Sequence, residues 1–285
     1  MIDLAAYMTR VRLPARPTLD THGLNALHRA HRLAIPFENL DVALGRPVAI
    51  DGAAVFAKLV TRHRGGLCFE HNALFADALA GFGFAARPLL ARVWLGAAET
   101  PPLTHVFSLV SIDGQEWIAD PGFGGSYAPP MPLLDGAETQ APDGARHLLR
   151  LDAEGGWTLL RDGDPGFTDG RGGGPGWQRQ YSFTTARVWD ADLATGAHWA
   201  ATHPDSRFVR HRIVSVVLPH GFARLTDRDY RRQVGGEVSE GTITDPRVYR
   251  MRLSLMFGID LSPDEVAALG LFGDGVVARS SSPRT

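Results

Sequence analysis

Apolar residues recur at three- and four-residue steps through the first third of the chain, and at alternate positions after it. Leu24, Leu27, His28 and His31 form one helical stripe, with Thr18 or Asp20 placed to cap its start. Asp51 precedes a second stripe of Val55, Phe56, Leu59 and Val60. A third helix is predicted from Cys68 to the glycines Gly81 and Gly83. Its inward positions Cys68, Asn72, Phe75 and Leu79 are spaced four, three and four apart. Gly65 and Gly66 interrupt the pattern just before it and permit a tight approach turn.

From about Phe84 the period shortens to two. LLARVWL, HVFSLVSI and EWIAD read as strands, and Asp113-Gly114 between the last two is a hairpin turn. RHLLRLD and GWTLLRD continue the pattern, so an antiparallel sheet or barrel is expected. A proline-containing loop, SYAPPMPLLDGAETQAPDG, and a glycine-rich one, DGDPGFTDGRGGGPGW, interrupt it. The second reads as an exposed loop or a lid. After YSFTTARVW a helical connector is predicted over Trp189 to Thr202. RIVSVVL, FARLTD, YRRQV and EVSEGTI then read as short strands, followed by a helix from Pro246 to Phe257 and a turn at Pro263. Helices first, then sheet, then mixed elements make an α+β fold rather than a doubly wound one. The tail SSSPRT is expected to be disordered.

A chain of 285 residues exceeds what one core sustains, so two or three subdomains are expected. The net charge of −2 leaves no global field to recruit nucleic acid or an anionic membrane. No apolar run is long enough to span a bilayer, and the N-terminal MIDLAAYMTRVRLPARP lacks the apolar core of a signal peptide. The single cysteine, Cys68, cannot form an intrachain disulfide. A cytoplasmic protein without a metal site is expected.

Cys68 is also where chemistry concentrates. A lone cysteine reads first as packing, but this one opens a helix, where the positive end of the dipole favours a thiolate. A nucleophilic thiol also needs a base held by a third group and donors for an oxyanion. His105 opens the strand HVFSLVSI, and Asp120 ends EWIAD. If Asp113-Gly114 makes the hairpin, imidazole and carboxylate meet at one edge of the sheet. Cys68, His105 and Asp120 in that order also fit a cysteine hydrolase.

IPFENL (Ile35 to Leu40), RGGLCFEHN (Arg64 to Asn72), the His105 strand and DPGFGGSY (Asp120 to Tyr127) together resemble the landmarks of the arylamine N-acetyltransferases, in order and spacing. That resemblance implies an N-terminal helical bundle over 1–83, a central antiparallel β-barrel over 84–186, a connector over 187–203 and a C-terminal α/β lid over 204–285. It carries over Cys68 as nucleophile, His105 as base and acid, and Asp120 as its orienter, a cysteine-protease-like triad. It implies ping-pong transfer of acetyl from acetyl-CoA, as co-substrate and not a bound cofactor, to arylamines, arylhydrazines or N-hydroxyarylamines. Thr104, Gly124, Gly125 and Ser126 are then expected near CoA, and Phe37, Val93, Phe123 and Tyr127 as walls for the aromatic acceptor. Glu38 and Arg64, opposite charges in the two most specific motifs, are expected to pair. A homodimer is compatible. The alternatives are an amide synthase closing a macrocyclic polyketide and a thiol hydrolase or transglutaminase-like enzyme using the same three residues.

Overall fold

In the computed structural model, the described residues are 2–125, 127–164 and 174–273. Ser126, most of the glycine-rich loop and the SSSPRT tail lie outside them. Helices span Leu4–Val11, Thr21–Ala34, Gly52–Phe56 and Cys68–Phe82. Asp20 and Asp51 cap the second and third, each carboxylate accepting an N–H three residues on. The third does not stay α-helical through Val60. It widens into a π-helical turn over Ala57–Thr61, which buries Lys58, Leu59 and Val60 in succession. The Cys68 helix stops at Gly83, whose φ of 107° suits glycine. Leu4–Val11 was not anticipated; it is two turns long, too short for periodicity to declare.

Eight strands form one antiparallel sheet. Its order is Met131–Pro132, Gln115–Ala119, Leu103–Ile112, Ala85–Val93, Gln178–Phe183, Trp157–Asp162, Arg146–Leu151 and Glu138–Gln140. The two edge strands are neighbours in the chain, and the sheet curls into a nearly closed barrel. Leu89, Phe107, Leu109, Ile118, Leu149, Leu159 and Tyr181 fill it. Val110, Ile112 and Ala119, on the opposite face, pack into the helical core with Leu27, Phe75 and Leu79. The alternation of the strands therefore serves two cores.

Asp113 and Gly114 both take positive φ, 50° and 79°, the conformation of a tight hairpin. The register Ser108↔Ala119 follows. Continued by one residue, it sets Asp120 opposite Phe107, diagonal to His105. A register shift at Ala91/Arg92, where Ala91 pairs His105 and Arg92 pairs Leu103, leaves Thr104 as the extra residue of a bulge.

The helix Asp190–Thr202 leads to a second antiparallel sheet, ordered Phe37–Glu38, Ile213–Leu218, Gly221–Thr226, Asp229–Val234 and Glu237–Thr242. Pro246–Phe257 and Pro263–Ala268 cover it, Leu253, Phe257 and Val266 packing with Leu225. Its edge strand comes from the N-terminal region: Phe37 pairs with Ser215 and Glu38 with Val214. The segment PFENL thus belongs structurally to both ends of the chain.

Candidate active site

The loop before Cys68 is built around close backbone approach. Gly66 forms a bridge with Phe37, its carbonyl accepting the Glu38 N–H at 3.0 Å. Leu67, extended at φ −78° and ψ 171°, precedes the helix and has no side chain with which to cap it. Glu70 compensates from inside the first turn, its Oε2 accepting the Leu67 N–H at 2.9 Å. Cys68 is thereby held at the first helical position, where the N–H groups of the opening turn lack intrahelical acceptors.

A buried charge network braces this turn. Arg64 Nη2 lies 2.6 Å from Glu38 Oε1 and 3.1 Å from Asp41 Oδ1. Lys58 Nζ lies 2.8 Å from Glu70 Oε1 and 2.9 Å from Asp41 Oδ2. Burial opposes the charge on Lys58, yet Glu70, Glu38 and Asp41 together outweigh it and hold the ammonium above its usual range. The pairing expected of Glu38 and Arg64 is one link in a five-residue cluster that ties PFENL to RGGLCFE.

The Cys68 sulfur lies 3.8 Å from the carbonyl of the bulged Thr104, the residue before His105, and Cys68 is among the groups that raise the His105 pKa. His105 Nε2 is 2.7 Å from Asp120 Oδ2. With Nε2 so engaged, Nδ1 is the ring nitrogen left for the thiol. Burial pulls the His105 proton off, but the Asp120 charge and the contacts with Asp120 and Cys68 outweigh it and raise its pKa. Burial would likewise protonate Asp120. The His105 ring, the Gly122 N–H on Oδ1 at 3.0 Å and the Arg32 charge hold it ionised instead.

Cys68 and His105 open onto a cavity of about 470 Å³. Phe37, Val93, Phe123 and Thr104 line it. Gly124 and Gly125 do not. They take left-handed φ of 77° and 62°, and a Cβ on Gly124 would sit 3.4 Å from the Phe37 ring. Their place is to let the Asp120–Gly125 loop pack behind Phe37, while Arg32 Nη2 donates to the Gly125 carbonyl at 2.6 Å. Tyr127 is also displaced from its expected position: its ring lies 4.2 Å beneath the Arg32 guanidinium and 5.4 Å from His28, buried under the loop and away from the cavity. Ser126 lies outside the described residues. The C-terminal third contributes to the lining as well, with Phe208, Arg207, His211 and Thr226. The Phe208 ring is 5.7 Å from that of Phe37.

A family model described as N-acetyltransferase matches residues 18–266. An arylamine N-acetyltransferase / N-hydroxyarylamine O-acetyltransferase of Salmonella typhimurium is 36% identical over 266 residues, 91% of this chain and 89% of the relative. The chain belongs to the arylamine N-acetyltransferase family. A solved arylamine N-acetyltransferase from Salmonella typhimurium superposes with a TM-score of 0.85 at 33% identity, covering 93% of this chain and 97% of that one. The Mycobacterium marinum arylamine N-acetyltransferase in complex with CoA superposes at 0.84 and 30% identity, covering 95% and 100%.

Two further side chains, Asn72 and Tyr181, stand against the group of Cys68, His105 and Asp120. Asn72 donates from Nδ2 to the carbonyls of Val106 at 2.7 Å and Cys68 at 3.1 Å, and reaches Asp120 Oδ1 at 3.4 Å. The Tyr181 ring lies 5.3 Å from His105, and Asp120 acts on its hydroxyl. Burial first, then the carboxylate beside it, raises the Tyr181 pKa. Asn72 carries the helical i+4 spacing from Cys68; nothing in the sequence marks Tyr181. Among the described residues no helix is long and apolar enough to cross a membrane, and no cluster of three His, Cys, Asp or Glu could hold a metal.

Proposed function

We propose that the chain transfers acetyl from acetyl-CoA to the nitrogen of arylamines, arylhydrazines or N-hydroxyarylamines, through a thioester on Cys68. The observation that carries this reading is the His105–Asp120 contact at 2.7 Å, with Cys68 and His105 lining one cavity. In the first half-reaction the Cys68 sulfur, its proton held by His105, attacks the acetyl carbonyl. The oxyanion forms beside the opening-turn N–H groups of the nucleophile helix. The C–S bond to CoA breaks, and the leaving thiolate takes the proton from His105. One thioester replaces another, so the step is nearly balanced.

In the second half-reaction the aromatic nitrogen, weakly basic and neutral at pH 7, attacks the acetyl-enzyme. His105, now neutral, takes the proton the nitrogen sheds, and the thioester C–S bond breaks to regenerate the pair. Asp120 stays ionised and orients the ring throughout. Phe37, Val93, Phe123 and Phe208 are read as the acceptor's apolar walls, and Thr104 as a donor-side contact. The second sheet with its helices, following the connector at 187–203, is read as a lid domain that closes the cavity from the Phe208 side. The CoA-bound mycobacterial relative supports the choice of donor.

Mixing the protein with acetyl-CoA in the absence of acceptor tests this. A burst of CoA stoichiometric with enzyme, and acetyl on the peptide containing Cys68, are expected; Cys68→Ala gives neither. Acetylation elsewhere, or steady turnover by Cys68→Ala, removes the mechanism.

A further inference from the structure

A buried hydrogen-bond chain runs from the first helix to the cavity wall, and acyl transfer as derived above does not use it. His71 Nε2 lies 3.1 Å from the Pro36 carbonyl oxygen, His71 Nδ1 lies 3.1 Å from His31 Nε2, and His31 Nδ1 lies 3.0 Å from the Tyr7 hydroxyl. Tyr7, His31 and His71 are all buried. Burial first, then neighbouring positive charge that includes Arg32, keeps both rings neutral. A neutral imidazole has one donor and one acceptor, and a carbonyl only accepts. The Pro36 end therefore fixes every proton. His71 donates from Nε2 and accepts at Nδ1, His31 does the same, and the Tyr7 hydroxyl donates.

The chain ends against Phe37. The Phe37 main chain is already held, by pairing with Ser215 and by the bridge to Gly66, so what remains to be set is its ring. Gly124 offers that ring no side chain, and Phe208 meets it tilted, at 47° and 5.7 Å. His71 meets it nearly parallel, the planes 14° apart and the ring centres 6.2 Å apart. An imidazole bonded at both nitrogens cannot turn without giving up a buried hydrogen bond, so the His71 plane is fixed. We propose that His71 is a positioning residue for the aromatic acceptor: held in one tautomer and one plane by His31 and Tyr7, it sets the Phe37 ring against which the acceptor lies. The proposal rests on the acetyl-transfer reading above. Aromatic rings meet in offset or edge-to-face geometry, so the tilt of Phe37 decides how well an acceptor ring is received. The fold alone asks less of position 71. An apolar side chain of similar volume would bury there without desolvating two polar nitrogens.

The test uses the full chain, acetylated on Cys68 by acetyl-CoA and then freed of CoA. Loss of the acetyl group to phenylhydrazine is compared with loss to hydrazine, which has no ring to lay against Phe37. The ratio of the two rate constants does not depend on the fraction of protein folded, so a merely stabilising His71 would not move it. His71→Leu removes the flat face and both hydrogen bonds, and its ratio is expected to fall about three- to tenfold, the worth of one aromatic contact. His31→Leu leaves the His71 ring but frees its Nδ1, and a smaller fall is expected. Tyr7→Phe loses a single oxygen and keeps the comparison available where a leucine variant does not fold; its ratio is expected to fall as well. Nitrogen NMR of histidine-labelled wild type should show His31 and His71 neutral, each with its proton on Nε2. A ratio unchanged in every folded variant, or a His71 proton on Nδ1, overturns the positioning role while leaving acyl transfer intact. Wild type that takes no acetyl from acetyl-CoA overturns the transfer reading, and the positioning role with it.

Discussion

Lys58 Nζ sits 2.8 Å from Glu70 Oε1, and both side chains are buried, at 7% and 2% exposure. Glu70 in turn holds the N–H of Leu67, the residue before Cys68. The sole lysine of the chain therefore neutralises the group that caps the Cys68 helix. Lys58→Met is expected to cost about 3–5 kcal/mol, because Glu70 and Asp41 lose a cation they cannot replace from water. Adding Glu70→Gln should recover part of that loss, giving a coupling energy in a double-mutant cycle measured by urea unfolding. A Lys58→Met protein with an unchanged midpoint would show that the cluster carries no stabilising charge.

Stability should fall with acid, starting near neutrality. Burial lowers the pKa of His28 to about 4, of His71 and His147 to about 3, and of His31 well below its usual value. In the unfolded chain these rings protonate below about pH 6.5. The folded state binds fewer protons between that pH and the folded values, so stability is complete above about 6.5 and drains away below it. The slope approaches about 1.4 kcal/mol per pH unit for each ring. His105 has the opposite shift. Protonated in both states below about pH 6.5, it adds no slope there; its contribution fades only as pH rises through its raised folded value. Urea midpoints at pH 7, 6 and 5 should descend, and less steeply for His147→Phe. A flat profile over that range contradicts neutral burial of these rings.

Asp120→Asn removes the charge that keeps His105 protonated and the acceptor that orients its Nε2–H. Acetylation of Cys68, followed as a single turnover with acetyl-CoA, is expected to slow by about 10³-fold or more. Asn72→Ala leaves the Asp120–His105 contact but takes away the amide that spans Cys68, Val106 and Asp120. A loss of about tenfold is expected there, with about 1–3 kcal/mol of stability. An Asp120→Asn enzyme acetylating within tenfold of wild type would mean that the carboxylate only shapes the turn.

Features set by local rules were legible in the sequence. The Cys68 helix follows from its apolar spacing and closing glycine. The approach of His105 to Asp120 follows from one dipeptide, because a two-residue turn with both φ positive leaves the strands a single register. What escaped depends on distant partners. A two-residue strand has no periodicity, so nothing local revealed that Phe37–Glu38 completes a sheet whose other strands begin at Ile213. Tyr181 looks like any inward aromatic of a strand until Asp120 is placed beside its hydroxyl. Tyr127, next to a glycine loop expected at a ligand, instead meets Arg32, a contact made across 95 residues of sequence. The cavity wall at Phe208 and His211 escaped for the same reason.

The glycines of RGG are required by the strand they approach. A Cβ on Gly65 would stand 2.1 Å from the Pro36 carbonyl oxygen and 2.8 Å from Glu38 Cγ. That carbonyl cannot yield cheaply, for it accepts from His71 Nε2 at 3.1 Å and from the Gly66 N–H at 3.4 Å. His71 lies on the Cys68 helix, and its ring stacks on Phe37 at 6.2 Å. A methyl group at Gly65 therefore displaces one wall of the cavity relative to Cys68. Gly65→Ala is expected to lose about 1–3 kcal/mol of stability by overpacking, and at least tenfold in acetyl transfer. Gly241→Ala is the matched control: a Cβ there meets nothing within 4 Å, and the change should stay within about 0.5 kcal/mol of wild type. Equal stability and turnover in the two variants would mean that the close approach of the two motifs is not what positions the thiol.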